Sequence, residues 1–136
     1  MRFPVLLLWI TAALFVAFGL GFAFAPEALA DLLTGDAPSA ASAVTDMRAT
    51  YGGVAIGLGL FYGLCARRPE WLRLGLIASL MVVASIGATR LGGIIADGSP
   101  NAFMIIFLAA EILSVGLYAF ALGQLGRSRD APTGPP

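Results

Sequence analysis

Histidine and lysine are absent from the sequence, and Cys65 is its only cysteine. Zinc, haem and iron–sulfur sites draw on sets of His and Cys, so no cofactor or metal centre of those kinds is expected. No disulfide can form within the chain. Only a carboxylate site for a hard cation stays open, with weak support. Without histidine no Ser-His-Asp set can be assembled, and neither a phosphate loop nor a nucleophile elbow occurs, so no residue is assigned a catalytic role. Charge of either sign is also scarce. Charged residues are 12% of the chain, against about 25% in ordinary soluble domains. Eight arginines are balanced by eight acids, which leaves no basic field to attract nucleic acid.

Apolar residues occupy the place that charge has left. They make up 59% of the chain, and the mean hydropathy is +0.90. A soluble domain is roughly 45–50% apolar, so a surface this apolar is more simply covered by a bilayer than by water. A membrane helix needs about 20 mostly apolar residues, and four segments qualify, near residues 3–25, 46–66, 71–95 and 102–125. Pro26 closes the first, Pro69 stands where an N1 proline would open the third, and Asp97-Gly98-Ser99-Pro100 makes a turn before the fourth. The expected fold is all-α: an integral membrane four-helix bundle over residues 1–126, with a disordered cytoplasmic tail, RSRDAPTGPP, over residues 127–136. The first segment also carries Arg2 and Ala28-Leu29-Ala30, as a cleaved signal peptide does. Its apolar run over residues 5–25 exceeds the roughly 7–15-residue core of a signal peptide, so a retained helix is expected. Cys65, near the end of the second span, reads as a packed thiol rather than a lipidation site.

The arginines give the bundle a direction. Arg2, the Arg67/Arg68/Arg73 group and Arg127/Arg129 flank one side, whereas Glu27, Asp31, Asp36 and Asp97 lie in loops on the other, which hold no arginine. By the positive-inside rule the chain is expected to be multi-pass in an inner (plasma) membrane, with both termini cytoplasmic. In the first outer loop, residues 26–35 (PEALADLLTG) place Leu29, Leu32 and Leu33 on one side of a short helix, with Gly35 as its stop. This helix is expected to lie on the membrane interface. The Ala/Ser-rich residues 36–45 that follow read as a flexible link.

The second span is rich in small residues: Gly52, Gly53, Gly57 and Gly59 follow in quick succession. Gly53-xxx-Gly57 and Ala55-xxx-Gly59 are small-xxx-small pairs that let helix backbones approach closely. They are expected to pack the bundle; an interface between copies of the chain or a passage for a ligand would use the same residues.

Three ionisable residues stand inside the spans, where each costs at least about 2.5–3.5 kcal/mol on insertion scales. They are Arg48 in the first turn of the second span, Arg90 late in the third and Glu111 in the fourth. At 1.5 Å per residue, Arg90 lies roughly 10 Å and Glu111 roughly 15 Å from the outer surface, so all three fall in the outer half of the bilayer. Tyr51 follows Arg48 by three residues, and Ser114 and Tyr118 continue the face of Glu111. Two arrangements satisfy this chemistry. In one, Arg90 and Glu111 form a salt bridge that fixes helix register, with Asp46 or Asp97 taking Arg48. In the other, Arg48, Tyr51, Arg90, Glu111 and Ser114 line an outward-facing polar pocket, and a spare guanidinium fork meets a carboxylate or phosphate.

The stretch Asp46-Met-Arg48-Ala-Thr-Tyr51-Gly52-Gly53, with Arg90-x-Gly92 and Glu111 later in the chain, resembles a bacterial family of small four-helix membrane proteins described only as a domain of unknown function (the DUF4345 type). More distantly the chain is similar to the DoxX-like four-helix group, some of whose members accompany redox enzymes. The resemblance covers nearly the whole chain and implies the four-helix fold without implying a reaction. Binding of a lipid or small amphiphile is therefore the expected function. The alternatives are an accessory subunit of a larger membrane complex or homo-oligomer, and, less favoured, a proton-coupled small transporter that uses Glu111.

Overall fold

The computed structural model describes residues 2–127; the expected tail lies outside them, apart from Arg127. Six α-helices follow one another: α1 (Arg2–Phe24), α2 (Pro26–Thr34), α3 (Ala41–Met47), α4 (Val54–Arg67), α5 (Leu72–Asp97) and α6 (Ala102–Arg127). A π-helical segment, Arg48–Gly53, joins α3 to α4 without a break. Four helical stretches are long and apolar enough to cross a membrane: Arg2–Phe24, Ala41–Arg67, Leu72–Asp97 and Ala102–Gly126. The chain is thus an all-α, multi-pass membrane protein. Its second span begins at Ala41 rather than Asp46, because the small residues of ASAV suit a helix and Val44 is buried to anchor them.

Consecutive spans run antiparallel and form two hairpins. In the first, α1 packs along α4, and the register is set by glycines. A Cβ placed on Gly19 would come within 2.7 Å of the Gly52 carbonyl oxygen, and one on Gly59 within 2.8 Å of the Ala12 carbonyl oxygen. Both approaches are too close for any side chain, so the two backbones touch. Lipid tails are as apolar as leucine, and helices in a bilayer associate by such close van der Waals packing rather than by escape from water. The second hairpin is α5 on α6. The two hairpins meet in the half of the bundle that carries Arg2, Arg67, Arg68 and Arg73, where Leu8, Tyr62, Cys65 and Leu76 are fully buried. Gly75 makes room there, because a Cβ on it would lie 2.6 Å from both the Cys65 Cβ and a Leu8 methyl.

The opposite, acidic end is closed by the short amphipathic helix α2. Pro26 occupies its first turn, Ala30 and Leu33 are buried, and Gly35 ends it in the left-handed conformation (φ 87°), as glycine alone does readily. Asn101 ties this helix to the fourth span. Its side-chain oxygen caps α6 by accepting from the Met104 N–H at 3.0 Å, while its Nδ2 donates to the Leu33 carbonyl at 2.9 Å. At the arginine-rich end Pro69 begins a turn rather than a helix, and α5 starts at Leu72 after the Trp71 N–H has bonded the Arg68 carbonyl at 2.9 Å.

Candidate functional site

The ionisable groups of α5 and α6 meet within the bundle wall. Arg90 Nε donates to both oxygens of Glu111 at 3.0 Å, and Nη2 donates to Oε1 at 2.8 Å. The pair is forked and mostly covered, with 21% of the Arg90 side chain and 13% of the Glu111 side chain accessible. Close approach depends on Gly87, one turn before Arg90: a Cβ there would sit 3.3 Å from the Glu111 Cβ and 3.5 Å from its Oε2. Two further residues of α6 complete the cradle. Arg90 Nη1 lies 3.2 Å from the Met104 sulfur, and the guanidinium carbon stands 5.2 Å from the centre of the Phe107 ring, a cation–π arrangement. Met104, Phe107 and Glu111 follow at i, i+3 and i+7, the period of one helix face. That spacing was available in the sequence, but an apolar Met and Phe in a membrane span carry no signal of their own. Chemically, the guanidinium neutralises the carboxylate and holds both its oxygens.

Arg48 and Tyr51 stand elsewhere. They belong to the π-helical segment, which packs chiefly on α1. The Tyr51 ring lies against Phe22 of α1 at a centroid distance of 5.2 Å. Arg48 is exposed and forms no hydrogen bond or ion pair with the described residues; neither Asp46 nor Asp97 takes it, and Arg90–Glu111 is the one ion pair among them. Ser114 is half-buried, one turn from Glu111, and makes no side-chain hydrogen bond among the described residues. Thr89 spends its hydroxyl on its own helix, donating to the Ser85 carbonyl at 2.9 Å. The structure thus brings Arg90 and Glu111 together and leaves Arg48 and Tyr51 on a separate surface of the acidic end.

The glycines of the second span also divide. Gly52 and Gly59 abut α1: a Cβ on Gly52 would meet the Ala23 nitrogen at 3.0 Å. Gly53 and Gly57 have no heavy atom within 4 Å of an added Cβ and face away from the bundle.

Tyr118, expected on the face of Glu111, instead joins a second polar cluster, whose other members escape a reading of the sequence because each is a single position in an apolar run. Thr11 of α1, Tyr62 of α4, Ser79 of α5 and Tyr118 of α6 are all buried in the arginine-rich half. The Thr11 hydroxyl donates to the Leu7 carbonyl at 2.9 Å, and the Thr11 and Tyr118 oxygens are 2.6 Å apart. Ser79 donates to the Gly75 carbonyl at 2.8 Å and lies beside both tyrosine hydroxyls. A count of depth from the arginine-rich end, at about 1.5 Å per residue, would have placed Thr11, Ser79 and Tyr118 roughly within one helical turn of each other.

Four antiparallel spans, with an ion pair between the last two and an exposed arginine on a π-helical turn of the second, define a small multi-pass membrane protein. A family model matches residues 5–122 and carries the description domain of unknown function (DUF4345). The chain belongs to this family, and the match takes in all or most of every span. No curated protein and no solved structure matches the chain.

Proposed function

We propose that the chain is a membrane-embedded binding module whose site is the acidic end of the second span. Arg48 contacts the anionic group of a lipid or small amphiphile there, and Tyr51 with Phe22 forms an aromatic wall for the apolar part. One observation carries this reading: of the two arginines inside the spans, Arg90 is committed to Glu111, whereas Arg48 is exposed and unpaired. A guanidinium at a membrane interface without a carboxylate partner offers its planar fork to a carboxylate or phosphate. Its placement on a π-helical segment supports the reading, since such segments occur frequently at functional sites. On the positive-inside rule this end faces outward, and in this reading the ligand is one of the outer leaflet or the space beyond it. In this reading Glu111, Arg90 and Ser114 belong to the bundle wall and do not line the site.

The test is ligand retention by the gently purified protein, read by native mass spectrometry against added anionic and zwitterionic amphiphiles of equal chain length. The wild type is expected to retain the anionic species, Arg48→Lys to retain it partly and Arg48→Ala to lose it by tenfold or more. Equal retention of both species by all three proteins overturns the proposal.

A second reading, an accessory subunit docked through α6, has its own observation. Only 11% of the most apolar stretch of that span is buried in the fold, against 28–33% for the others. Gly116 and Gly123 also leave open space on its surface. Crosslinking in the native membrane that recovers no partner through α6 counts against this reading. Proton-coupled transport finds least support, because both Glu111 oxygens are occupied by one guanidinium.

A further inference from the structure

The arginine-rich end carries a feature that neither the Arg90–Glu111 pair nor the proposed amphiphile site uses. Arg2, Val5, Leu6 and Trp9 line a shallow groove of about 400 Å³ along the first turns of α1, open along its length rather than enclosed. They stand at i, i+3, i+4 and i+7, so one helix face carries a charge at the groove's mouth and apolar walls below it. Trp9 rests on α4: a Cβ on Gly63 would meet the benzene edge of the indole, with Cζ3 at 3.5 Å and Cη2 at 4.0 Å. The pyrrole edge and its N–H are therefore turned away from α4. The contacts of Gly59 with Ala12 and of Gly63 with Trp9 fix the antiparallel register of α1 on α4. Arg67, four residues beyond Gly63 on the same face, thus stands within about one helical turn of Arg2 in height. Both arginines are exposed, and neither forms an ion pair with the described residues, whereas the neighbouring Arg68 lies over the Trp71 ring at 4.9 Å.

We infer that this groove binds an anionic phospholipid of the leaflet at the arginine-rich end, with the phosphate on Arg2 and Arg67 and an acyl chain along Val5, Leu6 and Trp9. In a bilayer an open apolar groove is filled by acyl chains in any case, so its selectivity comes from the charge at its mouth. A guanidinium without a carboxylate partner takes a phosphate through its planar fork, and basic sites at the ends of spans attract anionic head groups. Arg2 and Trp9 are separated by about 10 Å along the helix. A helical side chain leans toward the N-terminus, so the indole reaches back toward Arg2 and brings its N–H toward the ester level of the lipid, where tryptophans gather at membrane interfaces. A zwitterionic lipid would set its own ammonium beside the two guanidinia, which disfavours it. A second copy of the chain, related by an axis along the membrane normal, would bring its own arginines to the same height and offer no complementary charge. The groove lies at the opposite end of the bundle from Arg48, and the inference does not rest on the site proposed there.

The test uses the fluorescence of Trp9 itself. The full chain carrying Trp71→Phe, in which Trp9 is the remaining tryptophan, is placed in vesicles of phosphatidylglycerol and phosphatidylcholine in equal parts. Bromine, which quenches tryptophan on contact, is carried on the acyl chains of one lipid and then of the other. Brominated phosphatidylglycerol is expected to quench more strongly, by an amount that corresponds to about fivefold enrichment beside Trp9, the size of one arginine's attraction to an anionic surface. Arg2→Gln is expected to remove most of that preference, and Arg2→Gln with Arg67→Gln all of it. Equal quenching by the two brominated lipids overturns the inference, and so does a preference that survives in the double variant. Shielding of Trp9 from both lipids also overturns it and shows that protein covers the groove. Trp71→Tyr, which keeps a ring beneath Arg68, serves as the background if Trp71→Phe fails to fold.

Discussion

The two hairpins of this bundle face the same problem and solve it differently. Neither pair of helices gains by leaving water, because both are surrounded by lipid. Between α1 and α4 the solution is geometric: glycines at 19, 52 and 59 remove the side chains, and backbone meets backbone. Between α5 and α6 it is electrostatic: Gly87 opens the gap, and Arg90 reaches Glu111 with three hydrogen bonds. The first kind of contact tolerates no added atom. The second tolerates exchange of the whole pair but not loss of one member, since a charge left alone inside a span has nowhere to go. The difference separates the two interior arginines as well: Arg90 belongs to the fabric of a hairpin, and Arg48 does not.

The largest expected effect comes from breaking the electrostatic hairpin on one side only. Glu111→Ala is expected to destabilise the protein by about 3–5 kcal/mol, read from denaturant unfolding in mixed micelles, because it strands Arg90. Replacing both members, Arg90→Met with Glu111→Leu, is expected to be neutral to stabilising. A double variant as unstable as the single would show that the pair supplies more than mutual neutralisation. Next in size is the geometric hairpin. Gly59→Ala and Gly19→Ala are each expected to cost about 1–3 kcal/mol in the same assay, since the added methyl collides with a carbonyl that cannot turn aside. Tyr118→Phe, which removes the Thr11–Tyr118 hydrogen bond between α1 and α6, is expected to cost about 1 kcal/mol. The smallest effect is expected at Gly57, whose open surroundings predict a change within about 0.5 kcal/mol for Gly57→Ala. A large loss there, accompanied by a change in oligomeric state on native gels, would show that this face is covered by a second copy.

How much of this was legible in the sequence follows from what each feature depends on. The spans depend on apolar length, which composition displays directly, and their ends fell within a few residues of Pro26, Asp97 and Arg67. The start of the second span did not, because Ala41–Met47 is helical yet too short and polar to register as part of an apolar run. The depth of Arg90 and Glu111 was countable, and depth sufficed to pair them across a short turn. Arg48 lay at a similar depth, but depth says nothing about azimuth, and a π-helical segment rotates everything before it relative to α4. The division of the glycines was hidden for the same reason: spacing marks Gly53-xxx-Gly57 and Ala55-xxx-Gly59 alike, and only the position of α1 shows which pair it touches. The Thr11–Tyr62–Ser79–Tyr118 cluster required four helices to be placed at once.

The measurement that bears most directly on the role assigned to Arg48 combines both arginines in one binding experiment. Native mass spectrometry with an anionic amphiphile would compare Arg48→Ala with the charge-free pair Arg90→Met/Glu111→Leu, each confirmed as folded. Arg48→Ala is expected to lose the ligand while the double variant retains it near the wild-type level. Retention by Arg48→Ala with loss in the double variant would contradict it and would place the site at Arg90 and Glu111 instead.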